Sequence, residues 1–382
     1  MNVKMWPWWI GRGNWAAWKG KESGEPLRSV LKKAEICKQC MHICCIFAPS
    51  FLTFNLKHNS MEFDVEKPYV IGLDMGGTNS VFGIVDQRGN IKSQTVISTR
   101  GYAEFSDYVK ASVEALQPAL DTIGGIEKVR AIGIGAPNAN YYTGVIEKAA
   151  NLVWKDAVPC AQMFEDALGI PCRVTNDANA AAMGEMAYGV ARGMKNFMMI
   201  TLGTGVGSGI VVDGKVVYGS DGFAGELGHV IIDRSENART CGCGRKGCLE
   251  TYTSATGVAR TAREMLERST KPSLLRELDP EKITSYDVFV AAEKGDEIAR
   301  DIFEFTGRML GMACADFATF NTPEAFVFFG GLTKAGEYLM EPLRKAYDEN
   351  VLSIYRGKAK LLISALNGSE AAVLGASALG WE

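Results

Sequence analysis

Two stretches of this chain follow one pattern, and the repetition restricts the folds that it can adopt. Residues 69–86 read YVIGLDMGGTNSVFGIVD, and residues 198–213 read MMITLGTGVGSGIVVD. In both, an apolar run leads into a glycine-rich turn and a second apolar run leaves it, which predicts two β-hairpins. The hairpins lie far enough apart for one domain each. We therefore expect an α/β protein whose two domains share one plan.

The two glycine-rich turns suit phosphate oxygens. Their backbone N–H groups are not covered by side chains, and Thr78 and Thr204 add hydroxyl donors. Neither turn is a Walker A sequence or a Rossmann fingerprint, and tight hairpins without a ligand are the alternative. Asp74 directly precedes the first turn, where it is placed to orient a Mg²⁺-bound water. A third pair, Gly330-Gly331, follows an apolar run and predicts either a nucleotide close to the backbone or a strand-to-helix turn.

One histidine and three cysteines form a cluster with metal-ligand chemistry. His229 ends the run GELGH, and Cys241, Cys243 and Cys248 follow within CGCGRKGCLE. One imidazole and three thiolates are usual ligands of a structural zinc ion, and they leave no open position for water. The glycines between the cysteines let the loop turn tightly. A disulfide framework would need an oxidising compartment, so we predict structural Zn²⁺ here, with chance burial of the cysteines as the alternative.

Asp177 is the acid best placed to do chemistry. An apolar run ends at Thr175, and an alanine-rich run with high helix propensity begins at Ala178. Asn176 and Asp177 therefore stand at a strand-to-helix junction. Asp177 is either the helix N-cap or a general base that takes a proton from a hydroxyl. In the second case, we expect the helix N-terminus to keep its carboxylate ionised.

Three further polar residues have the chemistry of a sugar pocket. Asn151 lies in AANLVW, Glu226 lies just before His229, and Glu250 lies just after Cys248. Amide and carboxylate side chains bind sugar hydroxyls through paired hydrogen bonds. The predicted zinc loop would hold both glutamates on a rigid frame. Spacing alone does not distinguish this pocket from surface carboxylates.

The first 60 residues differ in composition from the rest. They contain five of the seven tryptophans and nine Lys and Arg against three Asp and Glu, which leaves 32 against 41 for the remainder. Five potential metal ligands lie here: Cys37, Cys40, His42, Cys44 and Cys45. The segment is a metal or nucleic-acid module, an unstructured extension, or, as we favour, the product of a start codon assigned upstream of Met61. It is too long and too rich in tryptophan for a standard secretory signal.

Composition limits the partners of the chain. A length of 382 residues has room for two domains. No apolar run approaches the roughly 20 residues that span a bilayer. The mildly acidic body argues against nucleic acid as the main partner, and numerous cysteines suit a reducing compartment. We expect a cytoplasmic protein without a nucleic-acid or membrane partner.

Five segments, taken in order, resemble the ROK family of bacterial sugar kinases and repressors. They are DMGGTN, TNDANAAAMGE, LGTGVGSGIV, GELGH and CGCGRKGCLE, and the resemblance covers roughly residues 68–382. It implies the actin-like, hexokinase-type ATPase fold, with two α/β domains and an interdomain cleft. We expect an N-terminal domain over residues 66–185, completed by a C-terminal helix at 370–382, and a second domain over 186–369. Residues 1–65 would be an atypical extension, non-native or disordered.

The resemblance also implies roles for single residues. Asp177 matches the catalytic base, and the zinc ligands are His229, Cys241, Cys243 and Cys248. Sugar-contacting positions are Asn151, Asn176, Asp177, Glu226, His229 and Glu250. The candidates for binding ATP and Mg²⁺ are Asp74, Gly76, Gly77, Thr78, Asn79, Gly203, Thr204, Gly205, Gly330 and Gly331. One departure is Asn138, because many members have a glycine there, beside the sugar.

The implied activity is that of an ATP- and Mg²⁺-dependent hexose kinase, most often a glucokinase that feeds glycolysis. One alternative is a kinase for N-acetylmannosamine, N-acetylglucosamine, fructose or allose. Another is a sugar-sensing transcriptional repressor, but residues 27–47 show no paired helices with a glycine turn. The resemblance further implies a homo-oligomer, either a dimer or a tetramer.

Overall fold

Two five-stranded mixed sheets organise the described part of the chain. The structure is a computed structural model that describes residues 66–149, 151–366 and 368–382. Our interpretations of the N-terminal segment, residues 1–65, lie outside the described residues. Within those residues, no helix is both long and apolar enough to cross a membrane.

The first sheet contains the first of the two predicted hairpins. Its strands are β1 (Tyr69–Met75), β2 (Asn79–Asp86), β3 (Ile91–Ser98), β4 (Val129–Gly135) and β5 (Cys172–Thr175). The strand order is β3-β2-β1-β4-β5, with β1 to β3 antiparallel and with β4 and β5 parallel to β1. Helices α1 (Phe105–Ile123) and α2 (Cys160–Leu168) pack with this sheet around an apolar core.

The second sheet repeats this topology. Its strands are β6 (Phe197–Leu202), β7 (Val206–Val212), β8 (Lys215–Val216), β9 (Ala325–Phe329) and β10 (Lys360–Ile363). The order is β10-β9-β6-β7-β8, with the β6–β7–β8 meander antiparallel and with β9 and β10 parallel. Read from its other edge, this is the strand order of the first sheet. The prediction of an α/β protein with a duplicated plan is confirmed.

The second sheet is covered by five helices. They are α4 (Glu250–Thr253), α5 (Ala255–Arg268), α6 (Ser285–Glu293), α7 (Glu297–Asn321) and α8 (Glu337–Asn350). Helices α7 and α8 approach closely, because a Cβ at Gly311 would lie 2.3 Å from the carbonyl oxygen of Leu343. We call the first sheet with α1 and α2 the first lobe, and the second sheet with α4 to α8 the second lobe.

Two helices rich in small residues complete the fold. α3 (Asp177–Tyr188) is buried on every side from Ala178 to Glu185. A Cβ at Gly135 in β4 would lie 3.0 Å from the Cβ of Ala180, and a Cβ at Gly209 in β7 would lie 2.7 Å from that of Ala182. Helix α3 therefore touches both sheets. Its alanines are required because larger side chains would separate them.

The last helix, α9 (Gly368–Leu379), returns the chain to the first sheet. A Cβ at Gly133 in β4 would lie 2.0 Å from the carbonyl oxygen of Ala376. Helices α9 and α3 also cross closely, since a Cβ at Gly184 would lie 2.8 Å from the Cα of Gly375. The C-terminal helix thus packs on the first lobe. The domain bounds 66–185 and 186–369 stay predictions.

Candidate active site

The strand-to-helix junction places Asp177 at the start of α3. The helix N-cap is Asn176, whose Oδ1 accepts a hydrogen bond from the Ala178 N–H at 2.9 Å. Asp177 is the first helical residue, and its Oδ1 accepts from the same N–H at 2.8 Å. The alternative role of Asp177 as the N-cap is therefore wrong. Its carboxylate accepts a hydrogen bond within the first turn of the helix, but it does not cap the helix.

The environment of Asp177 raises its pKa. Part of the side chain is exposed to solvent, but the protein around the carboxyl partly desolvates it and moves its pKa above the usual value. Hydrogen bonds from the backbone at the helix N-terminus act in the opposite direction but do not outweigh this effect. The helix start therefore does not by itself set the pKa of Asp177, and the ionised carboxylate expected from the sequence stays a prediction. A raised pKa gives the carboxylate more affinity for a proton.

Asp74, at the end of β1, lies within electrostatic reach of Asp177. Burial and, as the smaller cause, the negative charge of Asp177 together raise the pKa of Asp74 from 3.8 to about 6. Two carboxylates near each other resist ionising together. A cation or a proton between them would relieve this repulsion. The structure therefore brings the acid before the first glycine loop and the predicted base into one site.

Three predicted sugar-binding residues near the zinc loop, Glu226, His229 and Glu250, lie at the same site. The Nδ1 atom of His229 lies 3.7 Å from Oε1 of Glu250. The pKa of Glu226 is raised, mainly by burial, and it responds to His229, Asp177 and Glu250. Together with Asp177, these side chains therefore form one electrostatic cluster.

Asn151 connects this cluster to the glycine loops. Its backbone oxygen would lie 2.6 Å from a Cβ at Gly77, so the first loop packs directly against it. Asn151 also lines a cavity of about 430 Å³ with Thr204, Gly205 and Glu250. The structure thus joins a predicted sugar residue to both predicted phosphate loops. Arg260 and Arg263 of α5 line the same cavity and were not predicted from the sequence.

The two loops are held by different neighbours. In the first, the Gly76 N–H donates to the Asn79 carbonyl at 3.1 Å, and the exposed Arg100 donates its Nε–H to the Gly77 carbonyl at 3.0 Å. In the second, the Thr256 hydroxyl donates to the Thr204 carbonyl at 2.7 Å, which docks the start of α5 on the loop. Arg100 was missed because it lies beyond β3, far from any glycine motif.

The Gly330-Gly331 pair has two separate roles. Gly330 has a φ of 112°, and a Cβ there would lie 2.5 Å from the carbonyl oxygen of Leu202, so packing requires glycine. Gly331 instead lines a mostly apolar cavity of about 430 Å³ beside the second loop. Tyr286 and Phe289 of α6 line it too, and no sequence motif identified them. A flat apolar ligand fits beside a phosphate loop in this arrangement.

The predicted metal ligands converge. The donor atoms of His229, Cys241, Cys243 and Cys248 all lie within 4.8 Å of one another. The Sγ atoms of Cys243 and Cys248 are 3.7 Å apart, as are Cys241 Sγ and His229 Nδ1. A tetrahedral site with Zn–S bonds of about 2.3 Å places its sulfur atoms about 3.8 Å apart. The donor set and its spacing therefore fit a zinc ion.

A buried arginine anchors the loop that carries these cysteines. Arg239 is 5% exposed and donates to Glu264 at 2.7 Å and to the Thr251 carbonyl at 2.7 Å. Its guanidinium also lies 4.6 Å from the ring centroid of Tyr252. Sequence reasoning missed this anchor, because a lone arginine before a cysteine has no distinguishing pattern. Part of the loop's order thus comes from the protein itself.

Asn138 has a backbone conformation that glycine adopts readily. Its φ of 53° lies in the left-handed region, which asparagine adopts more readily than most side chains. Its Nδ2 donates to the carbonyl of Glu147 at 3.0 Å and approaches that of Lys148 at 3.4 Å. The side chain therefore ties down the segment that leads to Asn151.

Comparison with known proteins gives consistent matches. The model of the ROK family matches residues 70–382. A glucokinase from Halalkalibacterium halodurans is 36% identical over 319 residues, covering 82% of this chain and 94% of its own length. A ROK family glucokinase from Streptomyces griseus, solved with glucose and AMPPNP, shares 33% identity with a TM-score of 0.67, over 81% of this chain and 98% of that chain. A ROK family transcriptional regulator, a homologue of the E. coli MLC protein, shares 26% identity with a TM-score of 0.73, over 82% of this chain and 77% of its own. The expected actin-like, hexokinase-type fold is confirmed.

Proposed function

The chain belongs to the ROK family, and on that premise we propose that it is an ATP-dependent glucokinase. It would convert glucose and ATP to glucose 6-phosphate and ADP, the step that brings glucose into glycolysis. The observation that carries the proposal is the position of Asp177, which starts α3 within electrostatic reach of Asp74 and Glu226. A base, a phosphate-side acid and a sugar-side acid therefore share one site.

Asp177 is the general base of this proposal. A glucose hydroxyl attacks the γ-phosphorus in line, the bond from that phosphorus to the bridging oxygen of ADP breaks, and the hydroxyl proton passes to Asp177. The raised pKa of Asp177 increases its affinity for a proton, as suits a general base. Positioning and charge stabilisation supply most of the acceleration in reactions of this kind.

The sugar lies, in this proposal, between Asp177 and the zinc-loop side of the site. Asn151, Glu226, His229 and Glu250 supply amide, imidazole and carboxylate groups for its hydroxyls. Asn176 is assigned a sugar contact through its Nδ2, since its Oδ1 accepts the helix-capping bond. Closure of the two lobes would exclude water that otherwise hydrolyses ATP.

ATP is assigned to the two glycine loops and the apolar cavity next to them. The first loop, Gly76 to Asn79, and the second, Gly203 to Gly205, offer backbone donors to the phosphates. The base of the nucleotide suits the cavity beside Gly331 that Tyr286 lines. Mg²⁺, bound with ATP, would neutralise phosphate charge, and we assign Asp74 to orient its water.

We assign Zn²⁺ to His229, Cys241, Cys243 and Cys248, whose donor spacing supports the assignment. Its role is structural, because four protein ligands complete the tetrahedron. The zinc loop would hold His229 and Glu250 in place against the sugar. The Arg239 anchor holds the other side of the same loop.

A panel of sugars with coupled ADP detection tests the proposal. Glucose should give the highest kcat/KM, and ADP release without sugar should be slow. Asp177→Asn protein, purified in parallel, is the control for contaminating kinases. If N-acetylmannosamine, N-acetylglucosamine, fructose or allose is preferred, the enzyme class stands and the substrate changes. If no sugar raises ADP release above background, the chain is better explained as a sugar-sensing regulator.

Assembly and location complete the proposal. We propose a homo-oligomer, dimer or tetramer, in a reducing cytoplasm that suits the free thiols of the described residues. Size-exclusion chromatography with light scattering tests the assembly. A monomer at micromolar concentration would contradict it.

A further inference from the structure

Glu185 is a carboxylate enclosed within the protein at the far end of α3 from Asp177. Its exposure is 0%. Oε2 accepts a hydrogen bond from the backbone N–H of Val190 at 2.8 Å, and Oε1 accepts one from the hydroxyl of Ser364. Burying a carboxylate is costly unless its oxygens are bonded. Burying the Glu185 carboxylate therefore costs desolvation energy. The two hydrogen-bond partners, Val190 and Ser364, offset this cost and indicate its role.

The partners lie on the two connections between the lobes. Val190 belongs to the segment that leads from α3 to β6 in the second sheet. Ser364 follows β10 and starts the return to α9, which packs on the first sheet. The Ser364 N–H also donates to the Phe328 carbonyl of β9 at 2.8 Å, which fixes it to the second sheet. One side chain thus bonds both chain crossings.

Gly189 shows how closely this contact is packed. A Cβ at that position would lie 2.0 Å from Oε2 of Glu185. Its φ is −102°, so the backbone conformation itself does not require glycine. Glycine is needed there because the Glu185 carboxylate, and at 2.9 Å also the Glu185 Cα atom, occupy the space. A side chain at 189 would push Glu185 away from Val190.

Helix α3 connects the Glu185 contact with Asp177, the proposed general base. Asp177 and Glu185 are eight residues apart, or about 12 Å along a helix that rises about 1.5 Å per residue. The helix between them is buried and packed against both sheets. Because the helix is closely packed on both sides, we expect it to move as a rigid body. The hydrogen bonds at Glu185 would then also restrict the position of Asp177.

We propose that Glu185 is a positioning residue for phosphoryl transfer. Glu185 accepts hydrogen bonds from both connecting segments at the end of α3. These bonds fix the orientation of the second lobe relative to the helix that carries Asp177. The inference rests on the proposed kinase function, because it concerns the closure of the lobes over sugar and ATP. Glu185 itself touches neither. We call Glu185, Val190 and Ser364 the crossing clamp.

Four variants test the crossing clamp. Glu185→Ala removes both bonds, and Gly189→Ala displaces the carboxylate while keeping it in the chain. Glu185→Gln keeps an oxygen for the Val190 N–H and is the conservative variant. The matched control is Asp296→Ala, because Asp296 is also a buried carboxylate that accepts a serine hydroxyl, at 2.8 Å, and a backbone N–H, at 2.6 Å. It caps α7, away from both crossings.

Each variant is assayed for kcat, for KM of glucose and for melting temperature, with kinetics measured well below the melting temperature. We expect Glu185→Ala and Gly189→Ala to lower kcat/KM by about 100-fold, the cost of misplacing reacting groups by about 1 Å. Both kcat and KM should change, as for hinge residues in general. Glu185→Gln should recover most of the rate. Asp296→Ala should lose stability yet keep kinetics within about threefold of wild type.

The clamp is refuted if Glu185→Ala and Asp296→Ala lose stability alike and both retain wild-type kinetics. If Glu185→Ala does not fold, Gly189→Ala carries the same test, and wild-type kinetics there refutes the clamp. A wild-type protein that phosphorylates no sugar would overturn the kinase proposal and the clamp together. An active wild type with unaffected clamp variants would overturn the clamp alone.

Discussion

The two glycine loops occupy matching places in two sheets of the same topology. The strands before them differ in the polar residue that they place near the loop. β1 presents Asp74 two residues before Gly76, and β6 presents Thr201 at the corresponding place before Gly203. Asp74 lies within electrostatic reach of Asp177. Thr201 instead accepts a hydrogen bond from the Gly207 N–H at 3.1 Å, within its own hairpin. The acid of the first hairpin thus lies near the proposed base, whereas Thr201 supports the turn of its own hairpin.

The difference shows that the two halves of a duplicated fold can take different roles. Backbone donors are available in both loops, because that property follows from glycine and the hairpin alone. Acid chemistry needs a carboxylate, and both Asp74 and Asp177 come from the first lobe's strands and the helix that follows them. We therefore infer that the first sheet and helix α3 supply the reacting acids, and that the second lobe mainly binds and closes.

Replacing the base should have the largest effect. Asp177→Asn keeps the shape of the side chain but cannot accept the proton, and general bases contribute about 10²–10⁴-fold. We expect kcat to fall by about 10³-fold while sugar binding, measured by calorimetry, stays near wild type. Turnover within tenfold of wild type would remove Asp177 from its role and weaken the division between the lobes.

Asp74→Asn should lower kcat/KM by about 10²-fold, in the range found when one charge-stabilising group is lost. In the wild type, kcat/KM should fall as pH drops below about 6, where Asp74 takes up a proton. A carboxyl whose folded pKa is raised stabilises the fold most below its unfolded pKa, and that stability is lost as pH rises through about 6. Without ligands, Asp74→Asn should therefore match wild type near pH 4 and exceed it above pH 6, by on the order of 2–3 kcal/mol.

Chemical denaturation at several pH values measures that stability difference. Equal stability of the two proteins at pH 8 would contradict the raised pKa. Added Mg²⁺ and ATP should narrow the gap, because a bound cation favours the ionised carboxylate of the wild type.

Loss of a zinc ligand should have a smaller effect. Cys243→Ala leaves three donors, so zinc content by mass spectrometry should fall and KM for glucose should rise by about 10–100-fold. The fall in kcat should be lesser, because Asp177 lies outside the zinc loop. A zinc-free variant with unchanged KM would show that the Arg239 anchor alone orders the loop.

Thr201→Val should have the smallest effect and is the counterpart of Asp74→Asn. It removes one hydrogen bond within the second hairpin, which costs about 1 kcal/mol of stability. Its kinetics should remain within about threefold of wild type, since the hydroxyl is engaged inside its hairpin. A loss of activity comparable to that of Asp74→Asn would mean that the two hairpins share the chemistry after all.

Much of the fold was predictable because its pattern is local. The hairpins at 69–86 and 198–213 are set by apolar runs and glycine turns that any short window contains. The predicted zinc ligands were equally accessible, since three of the four lie within one short loop, and the structure brings the fourth to them. The resemblance to the ROK family added the overall topology, which periodicity does not specify.

The energetics of the site were not predictable in the same way. The helix N-terminus was expected to keep Asp177 ionised, but the sequence did not show that desolvation outweighs the hydrogen bonds at the helix start and raises the pKa. The sequence left open whether Asp177 is the N-cap of its helix, and the geometry assigns the cap to Asn176. Arg100, Arg239 and the clamp at Glu185 were missed, because each acts through partners that no motif connects to it.

The sequence by itself determined the repeated hairpins, the donor set for a metal ion and the acids available for chemistry, because these depend on residue type and short spacing. The tertiary structure alone decided which acids face each other, which residues line the cavities and what joins the lobes. Those properties depend on burial and on contacts between distant segments, where desolvation and packing act. Helix α3 illustrates both: its alanines predict a helix, but only the packing of two sheets shows why they must be small.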